Sequence, residues 1–423
     1  MGWKQLSFTV RRVLFAMLLA ALVAGCGGTR LSTQEPVELR FLYTQRVADY
    51  APLAEEFHRQ HPNITITLDE MQATGFGNSP RDLLDRADAA DAVRLPVDSI
   101  SDEMAQKFQA IDTMISTGKS FDREDLFPGS LDALKLNGKQ VGLPAGINPF
   151  VVYYMPAKFK AAGVQEPAPN WTLDDFVAAA SAVHNPDNSV IGTDRYAYGF
   201  CSSPQLTDLP MFMYLFGGGL FDSLTQISNP TLNQRANVDA LSWYASLKTD
   251  RNLMPDQNDA RQVYMLVHRN GCGLWIDWLD RSIFDRDFAL ASQPLPLPRY
   301  KTEFNFANID GYFILSKTQH PEETLQWITF LMQQQSASGN LIPPMKSLVN
   351  SSDYAARAPK QVVAVARSLP PKTVVLGMDI YRNDRFGKVI QLVSQAASNV
   401  IKGDGTAQSA LDDAQQQAEL LFK

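Results

Sequence analysis

The sequence predicts an α/β fold, with a mainly parallel sheet in its N-terminal region. Between residues 37 and 68 a strand pattern, a helix pattern and a second strand pattern follow one another, the span of a right-handed β-α-β unit. A helix and a third strand pattern follow to Leu95, and a different rhythm of strands and helices begins near Gly138. Composition agrees: 423 residues, 45% hydrophobic, 20% charged and 10% aromatic, make a globular chain long enough for two or three compact units.

Each element follows from its residues. Val37, Leu39, Phe41 and Tyr43 alternate with Glu38, Arg40 and Leu42, which predicts the first strand. Pro52 stands at a helix start, and Leu53, Ala54, Phe57 and Gln60 repeat at helical spacing up to His61-Pro62. Ile64, Ile66 and Leu68 alternate again. A helix over Pro80–Ala90 leads into a short strand, Asp91–Leu95, stopped by Pro96. Further on, two strands are expected, Lys139–Leu143 and Phe150–Met155, separated by a break at Pro144-Ala-Gly-Ile-Asn-Pro149. A helix over Pro156–Ala162 ends at Gly163, and Thr172 with Asp175 forms a capping box ahead of Phe176, Ala179 and Val183. A long helix over Asn233–Asp250, strands over Gly271–Trp278 and Ile309–Leu315, and a helix from Pro321 come next. Helices over Phe386–Ile401 and Thr406–Phe422 close the chain.

The N-terminus reads as an address. Lys4, Arg11 and Arg12 precede an apolar run from Val13 to Ala24, too short for a membrane span of about 20 residues but suited to a signal-peptide core. Val23-Ala24-Gly25-Cys26 resembles the lipobox of bacterial lipoproteins, in which Cys26 becomes the lipidated first residue of the mature chain. Residues 1–25 are therefore expected to be a lipoprotein signal peptide and 26–36 a flexible tether. That implies export across the cytoplasmic membrane and lipid anchoring at the cell envelope, on its extracellular or periplasmic face.

Several chemistries drop out. A net charge of −7 gives no footprint for nucleic acid. Gly118-Lys119-Ser120 lacks the P-loop glycine five positions earlier, where Thr113 stands, and no GxGxxG occurs. Five histidines show no HExxH spacing, so no metal site is expected. Asp174-Asp175 is explained by helix capping. No nucleophile, base and orienter set emerges, so the chain reads as neither an enzyme nor a cofactor carrier. With Cys26 assigned to lipid, Cys201 and Cys272 remain; a disulfide between them and two buried thiols are both open.

Several separated segments resemble one family. Gly142-Leu-Pro144, Tyr153-Tyr154, Phe159-Lys-Ala-Ala-Gly163 and Trp171-Thr-Leu-Asp-Asp-Phe176 stand in the order and spacing of carbohydrate-type extracellular solute-binding lipoproteins of bacterial ABC importers. Gly217-Gly-Gly-Leu-Phe-Asp222, the Asn237–Tyr244 helix with Leu247, Gly273-Leu-Trp275 and Pro294-Leu-Pro296 continue the match. Gly311-Tyr312, Trp327-Ile-Thr-Phe330, Pro343-Pro344, Ile401-Lys-Gly403 and Ala410-Leu411 complete it. One departure is Met155, where that family usually has asparagine after the tyrosines. The resemblance implies a two-lobed periplasmic-binding-protein-like fold of type II with a hinge and an inter-lobe cleft. Lobe one would comprise 37–147 plus 305–345 and lobe two 148–304 plus 346–423, with chain crossings near Asn148, Phe304 and Met345.

A ligand would sit in the cleft and lobe closure would bury it. A pyranose has apolar C–H faces and a hydroxyl rim, so its site calls for flat aromatic rings with carboxylate, amide and guanidinium partners. Trp275, Asp277 and Trp278 supply that mixture within four residues. Tyr43 and Thr44, at the end of the first strand, and Asp98, after the third, would face the cleft from lobe one. Tyr153 and Tyr154 alternate sides, so one of them reaches it. Gly218 and Gly219 offer close backbone approach or a simple turn. Of Asp310, Gly311 and Tyr312, the tyrosine is the better ligand candidate, while Arg382 and Arg385 read as surface charge.

The expected partners are a carbohydrate and ABC permease subunits, with the membrane touched only through the lipid and the protein itself monomeric. Two alternatives are weighed: a polyol-phosphate ligand, which would favour arginine over tryptophan in the cleft, and a surface-anchored glycan hydrolase using Asp98 and Asp277 as its facing carboxyl pair.

Overall fold

The computed structural model describes residues 35–44, 48–71, 80–117, 121–186, 193, 196–203, 208–224, 227–256, 260–280 and 291–423. The expected signal peptide, Cys26 and Gly118-Lys119-Ser120 lie outside the described residues.

The N-terminal half-sheet forms as its alternation dictates. Strand β1 (Val37–Thr44) and strand β2 (Ile64–Met71) pair in parallel from Val37↔Ile64 to Thr44↔Met71, joined by helix α1 (Ala51–Gln60). Proline in the first turn of α1 starts it at no cost in hydrogen bonds. The helix turns Leu53 and Phe57 to the sheet, each contributing on the order of 1.5–3 kcal/mol by burial. Helix α2 (Pro80–Ala87) leads into β3 (Ala92–Pro96), which joins β1 in parallel.

The middle of the chain departs from expectation. Gly142–Tyr154 is one continuous strand, β4, and the proline-glycine stretch inside it is no break. Pro144 lies beside a register shift in the ladder, and Pro149 lies where the strand changes neighbours, places where a missing N–H is tolerated. Helix α3 (Leu173–Val183) carries the expected capping box, with Thr172 and Asp175 bonded reciprocally. There follow β5 (Tyr198–Cys201), α4 (Asp208–Leu215), α5 (Arg235–Thr249), α6 (Ala260–His268), β6 (Cys272–Trp278), β7 (Gln293–Leu295) and β8 (Phe306–Ile314). Helix α7 (Pro321–Met332), strand β9 (Val374–Val375), and helices α8 (Asp384–Lys402) and α9 (Ala407–Leu420) complete the chain.

Among the described residues the main sheet has nine strands in the order β2-β1-β3-β8-β4-β6-β5, with β9 beside β8 and β7 beside β4. The N-terminal strands β2, β1 and β3 are parallel, as expected, and the rest of the sheet is mixed: β8 runs antiparallel to both β3 and β4, and β4 antiparallel to β6. The antiparallel centre exists because β4 is shared. Its first part, Gly142–Pro149, pairs with β8, and its second, Phe150–Tyr154, with β6. The cores divide at that handover. Phe41, Tyr50, Phe57 and Trp327 pack on one face of the β1–β3 half, and Val93, Leu95 and Phe313 on the other. Phe176, Phe200, Phe212 and Tyr244, and separately Tyr153, Trp275 and Tyr354, pack around β5 and β6. These are two lobes strung on shared strands. Residues 374–381, grouped with lobe two in the sequence reading, send Met378 and Tyr381 into the Val93–Phe313 core of lobe one.

Cys201 and Cys272 are bridged, with Cα atoms 5.7 Å apart, joining the end of β5 to the start of β6. No helix among the described residues is long and apolar enough to cross a membrane.

Candidate functional site

Parallel strands gather their carboxyl ends on one edge, and in this fold both lobes turn that edge toward the strand crossing. Tyr43 and Thr44 end β1, Asp98 follows β3, and Trp278 to Asp280 end β6. The floor between them is β8 against β4, where Asn308 faces Asn148 and Asp310 faces Gly146. Alternation along β8 puts Asn308, Asp310 and Tyr312 on one face, running from the crossing into the lobe-one core.

The polar groups on this floor are tied together. Asn308 Nδ2 donates to Asp98 Oδ2 at 2.7 Å, and Asn148 Oδ1 accepts from the Asp280 backbone N–H at 2.8 Å. Asp310 Oδ2 accepts from Arg94 Nε at 3.1 Å, and its other oxygen has no partner among the described residues. Arg94 is 1% exposed and donates further to the Tyr50 hydroxyl (2.7 Å) and to the carbonyls of Ala337 (2.6 Å) and Ser338 (3.1 Å). Among the described residues three carboxylates therefore belong to the crossing, and the electrostatics of Asp310 and Asp98 reflect it. Burial pushes the Asp310 pKa up to about 6, Arg94 opposes the rise, and Asp280 and Asp98 reinforce it. Asp98 is exposed as a residue, yet loss of water around its carboxyl raises its pKa against the pull of Asn308. Tyr381 lies within reach of the Asp98 charge, and burial, then that charge, raises its pKa.

The aromatic candidates separate. Trp278 is half-buried and stacked on Phe150, its register partner, with ring centres 3.8 Å apart and planes within 17°. Trp275 points to the opposite face of β6, is 2% exposed and stacks on Tyr153 at 5.6 Å. The Tyr153 hydroxyl in turn donates to Leu279 O at 2.8 Å, holding the chain that ends in Asp280. Trp275 and Tyr153 thus support the site from beneath, and the expectation that both tryptophans present a ring to one ligand does not fit the strand. Tyr154, on the other face, bonds Glu166.

Two further candidates move away from the cleft. Tyr312 is fully buried in the lobe-one core, its hydroxyl bonded to Ala337 O at 3.3 Å, so it contributes packing rather than contact. A Cβ on Gly218 would lie 2.0 Å from Asn237 Oδ1, and the Gly219 N–H and C=O are both taken by the Asn237 amide. These glycines form a turn packed on α5. Tyr43, 8% exposed, meets Tyr50 edge-on at 4.8 Å, and burial raises its pKa; Thr44 is half-buried.

Asp277 is 7% exposed, and one of its oxygens accepts the Trp278 N–H at 2.8 Å. Its charge acts on Asp208 and Tyr264. Asp208 is buried against Ser202 Oγ at 2.5 Å, and burial pushes its pKa up to about 7. Asp98 and Asp277 are therefore held by different neighbours, Asn308 in one case and the β6 backbone in the other. Sequence reasoning placed Asn148 at a chain crossing without giving it a site role and passed over Asn308, Arg94 and Asp280, whose roles rest on pairings between strands far apart in the chain. Tyr264, 37% exposed on α6 within reach of the Asp277 charge, was also missed. Among the described residues no group of three or more His, Cys, Asp or Glu side chains is arranged to hold a metal ion.

The chain matches the family model described as bacterial extracellular solute-binding protein over residues 43–337. It is 22% identical over 305 residues to a binding protein of Brucella abortus (strain 2308), covering 68% of this chain and 69% of that one. Its fold is similar to that of an ABC substrate-binding protein from Listeria monocytogenes solved with cycloalternan, with a TM-score of 0.65 and 17% identity, over 92% of this chain and 100% of that one. A cyclo/maltodextrin-binding protein solved with maltotetraose gives a TM-score of 0.66 at 19% identity, over 93% and 99% of the two chains. Matched over more than half its length, and carrying the two-lobed fold of type II periplasmic binding proteins, the chain belongs to the family of bacterial extracellular solute-binding proteins.

Proposed function

We propose that this chain is the substrate-binding subunit of a carbohydrate ABC importer. It captures a mono- to oligosaccharide between lobe one (37–147 plus 305–345) and lobe two (148–304 plus 346–423), closes over it and delivers it to the permease. The observation that carries this reading is the strand crossing itself. Asp98, Asp310, Asp280 and the Asn148 and Asn308 amides converge at the strand ends of both lobes, beside the Phe150-backed ring of Trp278. Carboxylate acceptors for hydroxyls beside a flat apolar ring are what a sugar presents partners for. The oligosaccharides bound by the two structural neighbours agree with this chemistry. Among the described residues the arginine on the floor, Arg94, is engaged by protein partners, which gives a phosphorylated polyol less support than a neutral sugar.

In the same reading residues 1–25 are removed, Cys26 carries lipid, and the monomeric body works at the envelope surface without catalysing a reaction. Asp98 and Asp277, the pair a hydrolase would need, are engaged by separate neighbours.

A thermal-shift screen tests the proposal, with maltotetraose, cycloalternan, maltose, mannitol and glycerol 3-phosphate as probes. One carbohydrate should raise the melting temperature dose-dependently, by up to about 2.7 kcal/mol of added stability at a hundredfold excess over its Kd. The rise should vanish in Trp278→Ala. Consumption of a sugar during incubation would revive the hydrolase, and a shift by the phosphate alone would contradict the carbohydrate reading.

A further inference from the structure

A guanidinium under the strand crossing is a costly way to hold a lobe together. Replacing a buried ion pair with apolar side chains of similar volume is often neutral or stabilising, so packing alone gives little reason for one here. Arg94 is nevertheless almost wholly enclosed, and it is saturated from four directions: Asp310 on β8, Tyr50 ahead of α1, and the Ala337 and Ser338 carbonyls beyond α7. Its guanidinium also lies 5.9 Å from the centre of the Tyr312 ring. Every partner except Asp310 is neutral and interior. Asp310 alone reaches the crossing, its side chain 13% exposed, with one oxygen fixed by Arg94 and the other left without a protein partner among the described residues.

We propose that Arg94 is a positioning residue for ligand capture: it holds the Asp310 carboxylate ionised and oriented so that its second oxygen accepts a hydroxyl of the bound sugar. The inference rests on the carbohydrate reading above. Among the described residues the groups facing Asp310 are Arg94 from β3, Asp98 after β3, Asp280 after β6, and Tyr50 and Tyr312 behind the guanidinium. Of these Arg94 is the one cation. Burial and the two neighbouring carboxylates favour protonation, Arg94 opposes it, and the balance stands at about 6. A protonated Asp310 loses one acceptor. Capture is therefore full above that value and declines as pH falls through it.

The test has two arms. In the ligand-free protein the side-chain carboxyl of Asp310 is titrated by carbon-detected NMR, its signal identified by loss in Asp310→Asn. Its midpoint should move up by at least about one pH unit in Arg94→Met and by less in Arg94→Lys, which keeps the charge without the planar fork. If Arg94→Met does not fold, Arg94→Lys decides. An unmoved midpoint overturns the proposal whatever the ligand is, because Arg94 would then not be what keeps the Asp310 carboxylate ionised. In the second arm maltotetraose binding is followed from pH 8 to pH 5. Affinity should be level above pH 7 and fall by about tenfold per unit below 6, with a flat profile in Asp310→Asn. Binding with no pH step overturns the proposal and leaves the sugar reading intact. Failure of maltotetraose to bind at any pH counts against the oligosaccharide reading, and the first arm then decides the role of Arg94.

Discussion

In each lobe one carboxyl group is held largely away from water, and the two lobes solve that problem in different ways. In lobe one Asp310 is given a guanidinium, Arg94, and settles at about 6. In lobe two Asp208 has, among the described residues, the Ser202 hydroxyl, itself bonded to Tyr244, and stands within reach of a second acid, Asp277; it settles at about 7. Desolvation is the leading cause of the rise in both, so the cation separates them. A carboxylate that must stay charged has a cation built beneath it. One that holds secondary-structure elements together can keep its proton, and Asp208 with Ser202 and Tyr244 ties the end of β5 to α4 and α5.

The comparison breaks most sharply if its cation is removed. Arg94→Met should cost about 3–5 kcal/mol in urea-induced unfolding at pH 7.5, because it strands a buried charge. Loss below about 1 kcal/mol would mean that Asp310 is already neutral there. The second largest effect should come from the staple that only lobe two possesses. Replacing Cys201 and Cys272 with serine removes the β5–β6 bridge and should cost about 2–4 kcal/mol, read as earlier unfolding of lobe two. The smallest effect sharpens the contrast. The folded pKa of Asp208 is raised above its unfolded value near 3.8, so the folded state binds the extra proton. Its contribution to stability is thus fully present below about pH 4 and lost as pH rises to about 7. Asp208→Asn should flatten that slope in thermal unfolding across pH 4 to 8, and an unchanged slope would show that Asp208 does not hold its proton.

Much of the fold was legible because the signals are local. The β1-α1-β2 unit, the Thr172–Asp175 cap and the left-handed Gly163 at a helix end all follow from residues a few positions apart. The failures share a cause. Pro144 and Pro149 read as a break because the tolerance for them comes from a register shift and a change of partner strand that no local pattern records. Trp275 and Trp278 read as one platform because their spacing was counted along the chain, whereas β6 sends them to opposite faces. Tyr312 read as a ligand candidate and lies in the core, while two positions away Asp310 emerged on the floor through an arginine 216 residues earlier. Asn148 and Asn308 carry no motif at all. Their significance is the pairing of β4 with β8.

The central claim is that a carbohydrate binds at the strand crossing, and calorimetric titration of the sugar identified by thermal shift tests it most directly. Asp98→Ala and Trp278→Ala should each weaken binding by about tenfold or more, since each removes a polar or stacking contact of one to a few kcal/mol. Gly163→Ala, at a helix end remote from the crossing, should leave affinity unchanged. Equal affinity in the wild type and both cleft variants would place the ligand elsewhere and contradict the account.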